Sequence, residues 1–259
     1  MSSLTFALVQ CATHWHDAAA NRAAFDGWFT RLPPEADVVV LPEMFSTGFT
    51  MSAAEVAEPM EGPTVRWLGE SAARLGKVVC GSLVIEDAGR RFNRFVWLEP
   101  DGTIAAYDKR HLFRMAGEHL HYVGGDERRV IAHHGVRILP IVCYDLRFPV
   151  WTRNRGDYDV VLCVANWPAA RQVAWNALLK ARAVENSSYA VGVNRVGVDG
   201  NDVRYRGGTA VYDPSGDTRL EVFDAEGVFT VTLDGAALET HRETFPAWRD
   251  ADGFELTMK

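Results

Sequence analysis

Apolar residues along this chain gather in short uninterrupted runs rich in Val, Ile and Leu, not in long amphipathic stripes. The runs at 4–10, 38–41, 78–85, 96–98, 136–142, 160–164, 190–194, 208–213 and 228–233 predict β-strands. Several show no polar alternation, as expected of strands covered on both faces. Three stretches switch to helical spacing. Asp17 can cap a helix in which Asn21, Phe25, Trp28, Phe29 and Leu32 share one face, with Pro33-Pro34 as its end. Pro63 stands where a helix can begin, and Val65, Leu68, Ala72 and Leu75 form its apolar stripe. A third helix is predicted over about 173–186, with Trp175, Leu178 and Leu179 turned inward.

Strands and helices alternate through the first two thirds, which implies α/β layering. The last third reads as short strands and turns, with Asp213-Pro214-Ser215-Gly216 as a turn between two of them. No repeat, low-complexity tract or linker breaks the chain, so one domain over 1–259 is expected. A chain of 259 residues can bury about three quarters of its unfolded surface.

Charge narrows the partners. The formal net charge is −7 and there are no Lys/Arg-rich runs, which argues against nucleic acid as a partner. The opening MSSLTFALVQ has no basic segment leading into a long apolar one, so neither a signal peptide nor a membrane span is expected. A reducing, cytoplasmic setting follows, with Cys11, Cys80, Cys143 and Cys163 as free thiols. Their spacing contains no CxxC pair, which disfavours zinc ribbons and thioredoxin-type chemistry.

Three segments place a reactive residue just after a strand-like run: Leu41-Pro42-Glu43-Met44, Tyr107-Asp108-Lys109-Arg110 after the short run 103–106, and Val142-Cys143-Tyr144-Asp145. Sites in α/β proteins gather at strand C-termini, so a carboxylate, an ammonium and a thiol can converge there. Each alone has a plainer reading: a buried structural cysteine, a strand-end surface carboxylate and a solvated lysine. The sharp polar exit Tyr144-Asp145-Leu146-Arg147-Phe148-Pro149 favours Cys143 as a nucleophile, because such a turn can expose a thiol and aim the next N–H at an oxyanion. A free thiol is only a few per cent ionised at neutral pH and needs a base or a cation beside it. Arg147 can anchor a substrate carboxylate or pair with Asp145 to shape the turn. Phe45, Phe113 and Trp167 can wall a pocket or belong to the core, and Asn166 closes an apolar run that can face the site. His119-x-His121 lacks a third ligand for a metal. No G-x-S-x-G and no phosphate-binding glycine loop is present.

Taken together, the three segments resemble the nitrilase, or carbon–nitrogen hydrolase, superfamily. Lys180-Ala181-Arg182-Ala183-Val184-Glu185-Asn186, Asn194-Arg195-Val196-Gly197, and Tyr205-Arg206-Gly207-Gly208-Thr209 before Tyr212-Asp213-Pro214 fit its later blocks in order. The resemblance implies a Glu–Lys–Cys triad of Glu43, Lys109 and Cys143, with a second glutamate at Glu118. It also implies a four-layer α-β-β-α sandwich and a homodimer formed through a helical layer. Arg182 and Glu185 are then structural ion-pair partners beneath the site. The stretches Phe45-Ser46-Thr47-Gly48-Phe49, Arg110-His111-Leu112-Phe113-Arg114-Met115 and Ala165-Asn166-Trp167-Pro168 are most similar to the bacterial omega-amidases. Those hydrolyse 2-oxoglutaramate and 2-oxosuccinamate to the dicarboxylic 2-oxo acid and ammonia. The backbone N–H of Tyr144 and Lys109 would hold the oxyanion, and no metal or other cofactor is called for. Competing readings are a superfamily member acting on a carbamoyl compound, a nitrile or deaminated glutathione, a binding protein with a vestigial site, and a cysteine redox sensor.

Overall fold

The computed structural model describes residues 2–257. Its strands are β1 (Leu4–Gln10), β2 (Val38–Val40), β3 (Val78–Asp87), β4 (Arg90–Leu98), β5 (Ile104–Asp108), β6 (Ile131–His133), β7 (Val136–Val142), β8 (Val160–Ala165), β9 (Tyr189–Asn194), β10 (Val196–Val198), β11 (Arg204–Tyr212), β12 (Thr218–Phe223) and β13 (Gly227–Leu233). The helices are α1 (Ala18–Phe29), α2 (Ala53–Val56), α3 (Pro63–Leu75), α4 (Pro149–Thr152), α5 (Gln172–Asn186) and α6 (Gly235–Thr244). Two sheets result. One runs β13-β1-β2-β3-β4-β5, and the other runs β10-β11-β9-β8-β7-β6 with β12 paired to β11.

The uninterrupted apolar runs follow from where the two faces of each strand go. On β1, Leu4, Phe6 and Leu8 join a cluster shared with Ile138, Val160 and Leu162 of the facing sheet. The alternate residues Ala7 and Val9 pack with Phe25 and Phe29 of α1 and with Leu68 and Ala72 of α3. Trp175, Leu179 and Ala183 of α5 are fully buried in the cluster that covers the second sheet. Helices, sheet, sheet and helix therefore stack as the four layers of an α-β-β-α sandwich.

Local chemistry sets the helix ends. The Asp17 carboxylate accepts from the Ala20 N–H at 2.9 Å, as an N-cap should. Helix α1 stops at Phe29, about a turn before Pro33-Pro34, and its C-cap is Thr30. Pro63 occupies the first turn of α3, and Gly76 closes that helix at φ 64. The strands missing from the sequence reading are β6, β10 and β12, and β5 runs two residues past the predicted segment. Helices α2, α4 and α6 also carry no clear apolar stripe. No helix among the described residues is long and apolar enough to cross a membrane.

One glycine governs how closely α5 approaches its sheet. A Cβ on Gly192 of β9 would lie 2.4 Å from Leu179 Cδ2 and 2.7 Å from Trp175 Cζ2, both on α5. Gly192→Ala is expected to cost about 1–3 kcal/mol through overpacking. In a protein of this size that lowers the thermal midpoint by roughly 2–4 °C per kcal/mol. A melting curve matching the parent would mean that the helix can lift without penalty.

Candidate active site

Three strand ends in two sheets deliver the polar groups. Beyond β2, Leu41 N–H still bonds Cys80 O at 2.8 Å, and the chain then turns sharply, with Met44 at φ 42. The turn is held by Ser82, whose Oγ accepts from Met44 N–H at 2.9 Å. Glu43 is thereby fully buried between the layers. Lys109 follows β5 directly, and its N–H bonds Asn93 O of β4 at 2.9 Å. Cys143 follows β7 and opens a 3-10 turn over Cys143–Arg147. Its φ of 46 lies in the left-handed region, where a non-glycine residue needs support from its surroundings.

Asp145 supplies that support. Its buried carboxylate accepts from Val142 N–H at 3.0 Å, Tyr107 O–H at 2.8 Å and His111 N–H at 2.8 Å. The Tyr107 hydroxyl in turn accepts from Trp151 Nε1–H at 3.0 Å. One carboxylate thus ties the cysteine turn to the segment that carries Lys109.

Lys109 Nζ donates to Glu43 Oε1 at 3.0 Å and to both Glu118 oxygens at 2.9 and 3.0 Å. Asn93 Nδ2 donates to Glu43 Oε1 at 2.7 Å, and the backbone N–H of Asn166 donates to Glu43 Oε2 at 2.7 Å. Glu118 Oε2 also accepts from Phe113 N–H at 2.5 Å. All three ionisable side chains are shut off from solvent. Burial pulls Lys109 down, but the Glu118 and Glu43 carboxylates outweigh it and hold the ammonium well above its usual range. Burial pushes Glu118 up against the pull of Lys109. The Cys143 thiol is pushed well above its usual range, first by burial and then by the Glu43 anion, while Lys109 pulls it back. Such a thiol rests protonated, so it must lose its proton to a neighbouring base as it reacts.

A cavity of about 580 Å³ opens onto Cys143 and Lys109. Its wall includes Tyr144, Arg147, Phe113, Asn166, Trp167 and Arg171. Within the described residues, no group of three or more His, Cys, Asp or Glu side chains is placed to hold a metal.

The carbon–nitrogen hydrolase family pattern matches residues 5–243 of this chain. Omega-amidase YafV of Escherichia coli is 47% identical over 258 residues, which cover 99% of this chain and 100% of that protein. The chain belongs to the carbon–nitrogen hydrolase family. A CN-hydrolase superfamily protein from Xanthomonas campestris, solved with an arsenic adduct in its active site, is 48% identical. It superposes with a TM-score of 0.97 and covers 99% of this chain and 100% of its own. The 2-oxoglutaramate amidase of Bacillus subtilis is 31% identical over 220 residues, 83% of this chain and 85% of that one.

Within this carbon–nitrogen hydrolase fold, most of the residues singled out from sequence meet at one place, and Phe45 does not. It is fully buried behind the site, edge-on to Phe25 at 5.4 Å and tilted against Trp67 at 6.1 Å, between sheet and helices. The turn at Met44 sends Glu43 inward to the polar cluster and Phe45 to the helix layer. Phe49, four residues on, lines the cavity in its place, with Lys109 Nζ 5.2 Å from its ring centroid. Arg147 makes no ion pair with Asp145, whose oxygens are taken by the groups named above; it lies 4.9 Å from the Trp167 ring centroid. Arg110 reaches away to Gly125 O at 2.9 Å, and Arg114 is exposed. Arg182 does pair with Glu185 at 2.6 Å, and it also donates to Leu146 O at 2.6 Å beneath the cysteine turn.

Asn93 and Arg171, like Phe49, escaped the sequence reading. Asn93 lies mid-strand in β4 as the one amide in an otherwise apolar and basic segment, and that oddity is its only signal. Arg171 follows Trp167-Pro168 in the turn before α5, where an arginine looks like an ordinary surface residue.

Proposed function

We propose that this protein is an omega-amidase that hydrolyses the terminal amide of 2-oxoglutaramate or 2-oxosuccinamate through a thioester on Cys143. The observation that carries the reading is the buried cluster in which Glu43, Lys109 and Glu118 share hydrogen bonds beside a protonated thiol at the floor of a cavity. Full-length similarity to omega-amidase YafV supports the choice of substrate.

The chemistry follows from these groups. Glu43 takes the Sγ proton as sulfur attacks the amide carbon. Lys109 and the Tyr144 N–H, an amide with no partner inside its own turn, hold the developing oxyanion. Asn166 Oδ1 is buried and unpartnered among the described residues, and it can accept from the substrate amide N–H. Glu43 returns the proton to the departing nitrogen, the C–N bond breaks, and ammonia leaves. Glu43 then deprotonates a water, which attacks the thioester carbon. The thiolate departs, takes back its proton, and the dicarboxylic 2-oxo acid is released. Glu118 keeps Lys109 charged and in place. A single catalytic domain, a homodimer and a cytoplasmic setting complete this reading.

Ammonia release measured over 2-oxoglutaramate, neutral amides of matching length, a nitrile and a carbamoyl compound tests the proposal. A preference for the nitrile or carbamoyl compound would point to another branch of the family. Arg147 carries the anchoring of the substrate carboxylate. Charge-assisted contacts of this type are worth roughly 1.5–3 kcal/mol. Arg147→Gln is therefore expected to raise KM for 2-oxoglutaramate by about ten- to a hundredfold, because the contact persists from ground state to transition state. Equal losses on acid and neutral amides would reduce Arg147 to a structural prop.

A further inference from the structure

Arg147 is not alone on the cavity wall. Arg171 lines the same cavity, with its guanidinium 5.1 Å from the Phe113 ring centroid and its Nη2 3.7 Å from Met115 Sδ. The two arginines are mounted on one indole. Trp167 stacks under Arg147 and donates its Nε1–H to Arg171 O at 2.9 Å. The Trp167 backbone is itself fixed from both sides by Asn194, which accepts from its N–H at 2.8 Å and donates to its O at 3.0 Å. The Phe113 support is equally firm, since its N–H is held by Glu118 of the buried cluster. Neither guanidinium forms an ion pair with a carboxylate among the described residues; their contacts are to aromatic rings and a thioether. Asp199 is also on the wall, but its oxygens are occupied by Tyr205 O–H at 2.8 Å and by the N–H groups of Asn201 and Val203 at 2.8 and 3.0 Å.

Two like charges on the wall of one cavity, Arg147 over Trp167 and Arg171 over Phe113, repel one another, and an anion between them relieves that repulsion. Weakly hydrated, planar guanidiniums on aromatic faces suit planar oxygen arrays. A 2-oxo carboxylate offers such an array: three oxygens on two adjacent trigonal carbons. We propose that Arg171 is a second specificity-determining residue, which together with Arg147 grips the 2-oxo-carboxylate end of the substrate while the amide end lies at Cys143. This rests on the amidase reading above and extends it to the recognition of the far end.

Arg171→Gln tests it. The ratio of kcat/KM for 2-oxoglutaramate to that for a neutral amide of equal length is expected to fall by tenfold or more, with the change in KM. Arg171→Lys, which keeps the charge and loses the planar fork, is expected to recover part of that ratio. An unchanged ratio in Arg171→Gln, or equal losses on both substrates, overturns the proposal. Where Arg171→Gln does not fold, Arg171→Lys decides alone: a threefold or greater fall in the ratio supports the two-arginine grip and an unchanged ratio removes it. If the intact protein turns over no 2-oxoglutaramate, the amidase reading fails separately. Calorimetry with 2-oxoglutarate on intact and Arg171→Gln protein then reads the anion site directly. Tenfold weaker binding in the variant supports the site, and equal or absent binding in both excludes it.

Discussion

Cys143→Ala is expected to abolish ammonia release, by about 10⁴-fold or more, while the protein stays folded. Loss of a nucleophile removes the covalent route entirely, and such losses commonly exceed those at any other position. The fold should tolerate the change. Cys143 already sits at φ 46, where Ala and Cys are strained alike. Its turn is braced by Asp145, Tyr107 and Trp151, not by the sulfur. The buried cluster also keeps its own bonds without the thiol, because Lys109 donates to both Glu43 and Glu118. Thermal unfolding of the variant should therefore resemble that of the parent, and mass spectrometry of the parent with excess amide should reveal an acyl adduct confined to the peptide containing Cys143. Substantial turnover by a folded Cys143→Ala protein would sink the mechanism.

Glu43→Gln should come next in severity, with kcat down by about 10³-fold or more, since in the proposed mechanism the same carboxylate serves as base in both halves of the reaction. Here two readouts separate. The Glu43 anion is one of the causes that hold the Cys143 thiol up, second to burial. Removing that charge leaves Lys109 pulling downward with less opposition. The pH midpoint for alkylation of Cys143 by iodoacetamide is thus expected to move to lower pH in Glu43→Gln, although turnover is nearly lost. A variant that loses both turnover and alkylation would indicate collapse of the site, and one that keeps turnover would move the base elsewhere. Cys11, pushed up to about 12 by burial and Glu226 against the pull of Arg195, serves as an internal slow control.

How much of this could be read from residues alone depends on what each residue answers to. Strands β1 and β7 emerge with the bounds read from the sequence because both of their faces meet apolar layers, leaving an unbroken signal. Strand β12 hides because it is an edge whose residues are half-exposed, and Thr-Arg-Leu-Glu-Val-Phe has no reason to look apolar. Three strand ends suggested only that a carboxylate, an ammonium and a thiol can converge, and the family resemblance named Glu43, Lys109, Cys143 and Glu118 as one set. Sequence left Phe45 open between pocket wall and core, because its direction is decided by one left-handed residue, Met44, and not by any periodicity. Arg171 stayed hidden for a related reason. What sets it apart is the absence of a carboxylate partner among the described residues, and a partner can be looked for only once the chain is folded.

The first sheet holds an early and a late strand side by side: Leu4–Gln10 lies between Val38–Val40 and Gly227–Leu233, with Leu4 opposite Leu233. On the ribosome this order has a price. The strand Leu4–Gln10 is made roughly 220 residues before its outer neighbour, an interval of roughly 10–45 s at ordinary synthesis rates. Throughout that interval the nascent polypeptide presents an apolar strand with a free edge, the kind of surface that recruits stray strands. Released chains that stop before Gly227 should accordingly be protease-sensitive and bound by chaperones, while the chain through residue 259 should be resistant.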